Sequence, residues 1–158
     1  MAWSSPPAGS VARLLALPLA DVARLGEAAA RVFAVEAGLR WLSPGATFRL
    51  IAGAARPRRR KGLDLGRLAW LVEVADRHVP GRSSCLRRAL GLAWMLGRRG
   101  IRADVRIGVA RAGGVLEAHA WLETRDGVAI GRPGGTDYAP LPLVTGSRAG
   151  VAAACPEP

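Results

Sequence analysis

The sequence predicts an α+β protein, with helices first and a small antiparallel sheet after them. Two observations carry that reading. Up to Gly100 the apolar residues recur at helical spacing, and beyond it the period drops to two. Turn signals at residues 112–114 and at Asp126-Gly127 then cut the remainder into short strands.

The elements follow in order. Residues 1–18 read as a flexible leader, rich in Pro and Ser at its start. A helix is expected over residues 19–42, with Asp21 as its N-cap and Val22, Leu25, Ala29, Val32 and Leu39 at helical intervals. Ser43-Pro44-Gly45 stops it, and a short apolar piece, residues 48–55, follows. Residues 56–61 carry five cations in six positions, a basic linker or a patch for acidic ligands. A second helix runs over residues 63–78 with Leu65, Leu68, Val72 and Ala75 on one stripe, and Pro80-Gly81 ends it. His78 reads as a C-terminal cap. The third helix, residues 84–99, is apolar on every side from Ala89 to Leu96, the mark of a buried helix. Gly100 suits its left-handed C-terminal position, and Arg98 and Arg99 suit the negative end of its dipole. Val105, Ile107 and Val109 then alternate with polar or small residues as a half-buried strand. Residues 115–124 and 128–132 make two more strands, leaving at most one short element near residues 141–144. The organisation is therefore a leader at 1–18, a helical region with its basic linker at 19–61, a core at 62–145 and a tail at 146–158.

Composition narrows the function classes. The 158 residues give room for one domain with a core, and half of them are apolar. The formal charge is +11, from 23 basic and 12 acidic residues, and Lys61 is the only lysine. A composition heavy in Arg and Ala follows from GC-rich coding, so the charge alone does not indicate nucleic acid. It does favour acidic partners. A nucleic-acid binder would bring a reader motif or a set of aromatic platforms, and the chain shows neither, which argues against a specific nucleic-acid role. Two cysteines, Cys85 and Cys155, make no disulfide framework, which suits a reducing cytoplasm. Neither a secretory signal nor a membrane-spanning stretch is apparent.

Cys85 sits in Gly81-Arg-Ser-Ser-Cys-Leu-Arg-Arg-Ala-Leu90. With Ser83 or Ser84 as cap, it falls in the first helical turn. Unpaired backbone N–H groups and the positive dipole end favour a thiolate there, and the Cys85 N–H is a natural oxyanion donor. Arg82, Arg87 and Arg88 are expected to add positive charge. Against this, a lone cysteine is ordinarily a small buried residue. His119 lies mid-strand in Glu117-Ala-His-Ala-Trp-Leu-Glu123, flanked by small residues and sharing a face with Trp121. Trp121 is either a wall beside that histidine or core packing. A cysteine opening a buried helix, followed by a histidine on an antiparallel strand, is the layout of a Cys–His nucleophile pair.

Four motifs in order, Ser84-Cys-Leu-Arg-Arg-Ala-Leu90, Leu96-Gly-Arg-Arg-Gly-Ile101, Arg106-Ile-Gly-Val109 and Ala118-His-Ala-Trp121 with Glu123, give the chain a family likeness. Over residues 63–132 it resembles the leader peptidases of lasso-peptide biosynthesis, cysteine proteases of the transglutaminase-like superfamily. The resemblance implies a transglutaminase-like, papain-like core. It implies hydrolysis of the amide between leader and core of a ribosomally made precursor peptide. The implied partners are that precursor, a small leader-binding recognition protein and the lasso cyclase; no metal or cofactor is implied.

The family orients its histidine with an acid on the following strand. Here, if Asp126-Gly127 is a two-residue turn, Trp121 pairs with Arg132 and His119 with Gly134, and Arg132 stands where the acid is expected. Asp126 is roughly 20 Å along the strand from His119, and Glu117 lies beside His119 rather than opposite it. Asp137 is the candidate third member; a dyad with no acid is the alternative. Two further alternatives remain open: an impaired transglutaminase-like module that binds peptide without cutting it, and an acyl transferase using the same pair.

Overall fold

A computed structural model describes residues 18–55, 63–112, 115–131 and 138–141. The basic run at 56–61, Arg132, Asp137 and Cys155 lie outside the described residues. The described chain is α+β: α1 (Leu19–Trp41), α2 (Pro44–Gly53), α3 (Leu65–His78) and α4 (Cys85–Gly97) precede β1 (Ala103–Ala112), β2 (Val115–Thr124), β3 (Gly127–Ile130) and β4 (Ala139–Pro140). The strands form one antiparallel sheet in the order β3-β2-β1-β4.

The helix starts correct the sequence reading at two places. The N-cap of α1 is Pro18, not Asp21. Asp21 lies one turn inside, where its carboxylate accepts from Arg24 at 2.9 Å and from Arg67 of α3 at 3.0 and 3.1 Å. A buried carboxylate with two arginine partners does more by pinning α1 to α3 than by closing one turn. The expected stop at residues 43–45 is also a start: Ser43 caps α2, accepting from the Ala46 N–H, with Pro44 in the first turn. The apolar piece at 48–55 is thus the body of α2 as far as Gly53.

Asp64 caps α3 by accepting from the Arg67 N–H, and His78 at its end bonds the Val74 carbonyl through Nδ1 at 2.8 Å. At the end of α4 the Ile101 N–H reaches back to Leu96 and the Gly100 N–H to Gly97. That is a Schellman ending, with Gly100 at φ 71°. It turns the chain so that β1 runs back beneath α4.

The helices share one core with one face of the sheet. Val32 and Val35 of α1, Leu71 and Val72 of α3, and Leu92, Met95 and Leu96 of α4 are fully buried, and Val105, Leu122 and Ile130 close the core from the sheet. The last three are cross-strand neighbours: Leu122 pairs with Val105 on one side and Ile130 on the other. Because β2 pairs with β1 without interruption, alternation turns His119 and Trp121 to the face opposite Leu122. On β1 burial does not simply alternate. Beyond Ile107 the buried residues are Gly108 and Ala110, because Trp121 and Tyr138 cover the second face there.

The β2–β3 turn differs from the expected one. Thr124 pairs with Gly127, so the turn is Arg125-Asp126, and Gly127 already belongs to β3. A bulge between Leu122 and Glu123 then shifts the register: Glu123 pairs with Val128 but Leu122 with Ile130, which leaves Ala129 as the extra residue. The expected pairings of Trp121 with Arg132 and His119 with Gly134 rested on the other turn and on an unbroken ladder. The last described element is β4, Ala139 and Pro140 on β1, and the short element expected near residues 141–144 lies outside the described residues beyond Leu141.

Candidate active site

Cys85 is the first residue of α4, and it is half-buried. Ser84 is its N-cap, with Oγ accepting from the Arg87 N–H at 3.1 Å. Of the two serines offered as cap, the other, Ser83, donates its hydroxyl to Asp76 Oδ2 instead. Arg87, one turn into the helix, is 0 % exposed. Its Nε donates to Asp76 Oδ1, its Nη2 to the Asp76 carbonyl at 2.8 Å, and its Nη1 to Glu36 Oε2 and the Pro80 carbonyl, both at 3.3 Å. The expectation that Arg82, Arg87 and Arg88 all lend charge to Cys85 is therefore corrected. The Arg87 charge is matched by Asp76 and Glu36, and Arg88 Nε stands 3.9 Å from Asp76 Oδ2. Only the exposed Arg82 of the three makes no salt bridge among the described residues. What Arg87 does is tie α1, α3 and the loop before Cys85 into one buried cluster. Its only trace in the sequence is an acid and an arginine 11 residues apart.

His119 is on β2, opposite Gly108 of β1. Its Nε2 lies 2.8 Å from the main-chain oxygen of Gly131. Its ring is stacked with Trp121 at a centroid distance of 6.3 Å and tilted against Tyr138 at 5.3 Å. Gly108 leaves the room for these rings: a Cβ there would come within 3.0 Å of the Trp121 ring and 2.9 Å of Tyr138 Cβ. Trp121 is 7 % exposed and donates its Nε1–H to Glu123 Oε1 at 2.7 Å, while Arg106 holds the other oxygen at 3.0 Å. Both readings of Trp121 thus hold together, since it is packed and it flanks the histidine. Tyr138 was missed from the sequence because it stands in a Gly-rich stretch that reads as loop.

The relation between the two candidates has two parts. α4 packs on β1 and β2, and His119 lies near the middle of β2. Across the sheet they are not joined: no hydrogen bond links Cys85 to His119 among the described residues, and His119 leaves the strand on the face away from Leu122 and the helical core. Glu117 is exposed at the hairpin end of β2, and Asp126 is exposed in the distal turn, so neither orients the imidazole. A cavity lined by Gly100, Ile101, Arg102, Thr124, Arg125 and Asp126 lies at that distal end as well, away from both candidates.

Four helices on a four-stranded antiparallel sheet, with a capped cysteine opening the helix laid across it, define an α+β core organised around a cysteine helix. The family model of the Transglutaminase-like superfamily matches residues 29–142, and the chain belongs to that superfamily. The match starts within α1 and so takes in helices on which the sequence carries no motif. No curated protein and no solved structure matches the chain at a significant level. No helix among the described residues is long and apolar enough to cross a membrane.

Proposed function

We propose that the protein is a cysteine peptidase that removes the leader from a ribosomally made lasso-peptide precursor, with Cys85 as nucleophile and His119 as its base. The observation that supports this is Cys85 at the first position of the capped helix α4, which packs against β2, the strand that carries His119. The superfamily match is in keeping with it.

In the proposed reaction His119 takes the Cys85 proton, leaving a thiolate and an imidazolium. The thiolate attacks the scissile carbonyl carbon. The backbone N–H of Cys85 donates to the oxygen that gains charge, since no intrahelical acceptor is available to it in the first turn. The C–N bond then breaks, the leaving amine takes the proton from the imidazolium, and water resolves the acyl-enzyme. Thiol and imidazole must meet for this, and catalytic hydrogen bonds commonly form only once substrate is bound. The proposed partners are the precursor, a leader-binding protein that presents it and the cyclase that closes the ring on the freed amine.

A second reading is a peptide-binding module of the same fold that does not cut. The missing Cys85–His119 hydrogen bond favours it. The two part in one experiment: precursor, leader-binding protein and this chain are incubated together, and the products are read by mass spectrometry beside a Cys85→Ala variant. Cleavage by the parent alone is the expected result. Binding of the precursor by both forms, with no cleavage by either, gives the chain to the second reading.

A further inference from the structure

The geometry points to the main-chain carbonyl of Gly131 as the group that orients His119, in the place where a carboxylate would otherwise stand. The inference rests on the peptidase reading and adds a positioning residue to it. A carbonyl oxygen can only accept, so the 2.8 Å contact with His119 Nε2 requires the proton on Nε2. Nδ1 then carries the lone pair, and among the described residues it has no hydrogen-bond partner. It is therefore the atom free to take the thiol proton. Trp121 and Tyr138 hold the ring plane while the carbonyl fixes its rotation.

The fold builds this contact. The bulge takes up one extra residue of β3, so the chain arrives one position less far along β2 than a regular ladder would, and Gly131 lies against Ala120 and Trp121. Gly131 has φ 73°, and a Cβ would lie 2.9 Å from the Ala120 oxygen and 3.3 Å from Trp121 Cα. Only glycine fits there without moving the strand. A neutral carbonyl gives the imidazolium less support than a carboxylate does. It does enforce the same tautomer, and that tautomer decides which nitrogen can act as base.

The chain contains its own control. His78 bonds the Val74 carbonyl through Nδ1, so the two histidines are expected in opposite tautomers. A two-bond proton–nitrogen correlation spectrum of the neutral imidazoles, assigned with His119→Gln, reads this without any substrate. The expected result is Nε2–H for His119 and Nδ1–H for His78. An Nδ1–H tautomer for His119 overturns the inference, as does a tautomer that switches in Asp137→Asn, which would give the ring to that carboxylate. In the cleavage assay, Gly131→Ala is expected to lower kcat at least about tenfold with little change in KM, against the roughly 10⁴-fold that loss of the carboxylate costs in the serine-protease template. A folded Gly131→Ala with unchanged kcat also overturns it. A parent protein that shows the Nε2–H tautomer yet cuts nothing sinks the peptidase reading instead, so the two failures are told apart.

Discussion

The two halves of the candidate site are held by opposite means. Behind Cys85, full charges are buried: Arg87 is 0 % exposed and its partner Asp76 2 %, with Glu36, Ser83 and the Pro80 carbonyl completing the set. Around His119 the ring rests on two aromatic neighbours and a backbone oxygen, and among the described residues no charged group is bonded to it. Buried charge pairs are stiff, because each partner left alone is strongly disfavoured in a low dielectric. Packing and a neutral hydrogen bond tolerate small movements at modest cost. Cys85, the proposed nucleophile, is thus held by the helical layer, and His119, the proposed base, is the half that can adjust.

The sharpest way to break this contrast is Asp76→Ala. It leaves the Arg87 guanidinium buried with only the half-exposed Glu36 as a counter-charge, and a loss of about 3–5 kcal/mol is expected in urea unfolding. A matched apolar pair, Asp76→Leu with Arg87→Met, is expected to recover a large part of that loss, since buried ion pairs replaced as a unit are often near neutral. If the single variant costs no more than an ordinary surface change, the buried cluster is not what fixes the start of α4.

On the His119 side the corresponding change is Trp121→Phe. It keeps an aromatic ring beside His119 and removes the N–H donated to Glu123, whose other oxygen stays with Arg106. The expected cost is about 1.5–3 kcal/mol, the net worth of a hydrogen bond to a charged group. A cost as large as that of Asp76→Ala would erase the contrast. Ser84→Ala removes the cap directly before Cys85 and is expected to cost about 1 kcal/mol, read from the same unfolding curves. Combined with Asp76→Ala it tests coupling, because both act on the same turn, and a clearly non-additive sum is expected.

The smallest expected effect is that of acid. The hydrogen bond from Arg24 holds the Asp21 carboxyl below its ordinary value of 3.8, against burial, with Arg67 adding to it. Burial pushes Glu27 up from 4.5, but the hydrogen bond and charge of Arg99 outweigh it and the net direction is down. Both groups bind protons more readily when unfolded. Their contribution to stability is therefore complete above those ordinary values and is lost as the pH falls below them towards the folded-state values. Urea midpoints should fall over that interval, and Glu27→Gln should flatten the fall. A midpoint independent of acid would mean that these pairs do not hold α1 to α3 and α4.

The sequence alone determined what depends on neighbours in the chain. Helices and strands could be read because their apolar periods differ, and the capped position of Cys85 could be read because Ser84 and the helical run after it are local. The mid-strand place of His119 followed in the same way. What escaped the sequence joins residues that are distant, or depends on the backbone alone. Asp21 looked like a cap because its partner Arg67 is 46 residues away. Arg87 looked like a free charge because Asp76 and Glu36 meet it only in three dimensions. The β2–β3 register slipped because a bulge leaves no mark in side-chain identity, and a one-residue shift changes every pairing beyond it. That same shift sets Gly131 against His119, and a main-chain carbonyl, which every residue has, is a partner no motif can announce.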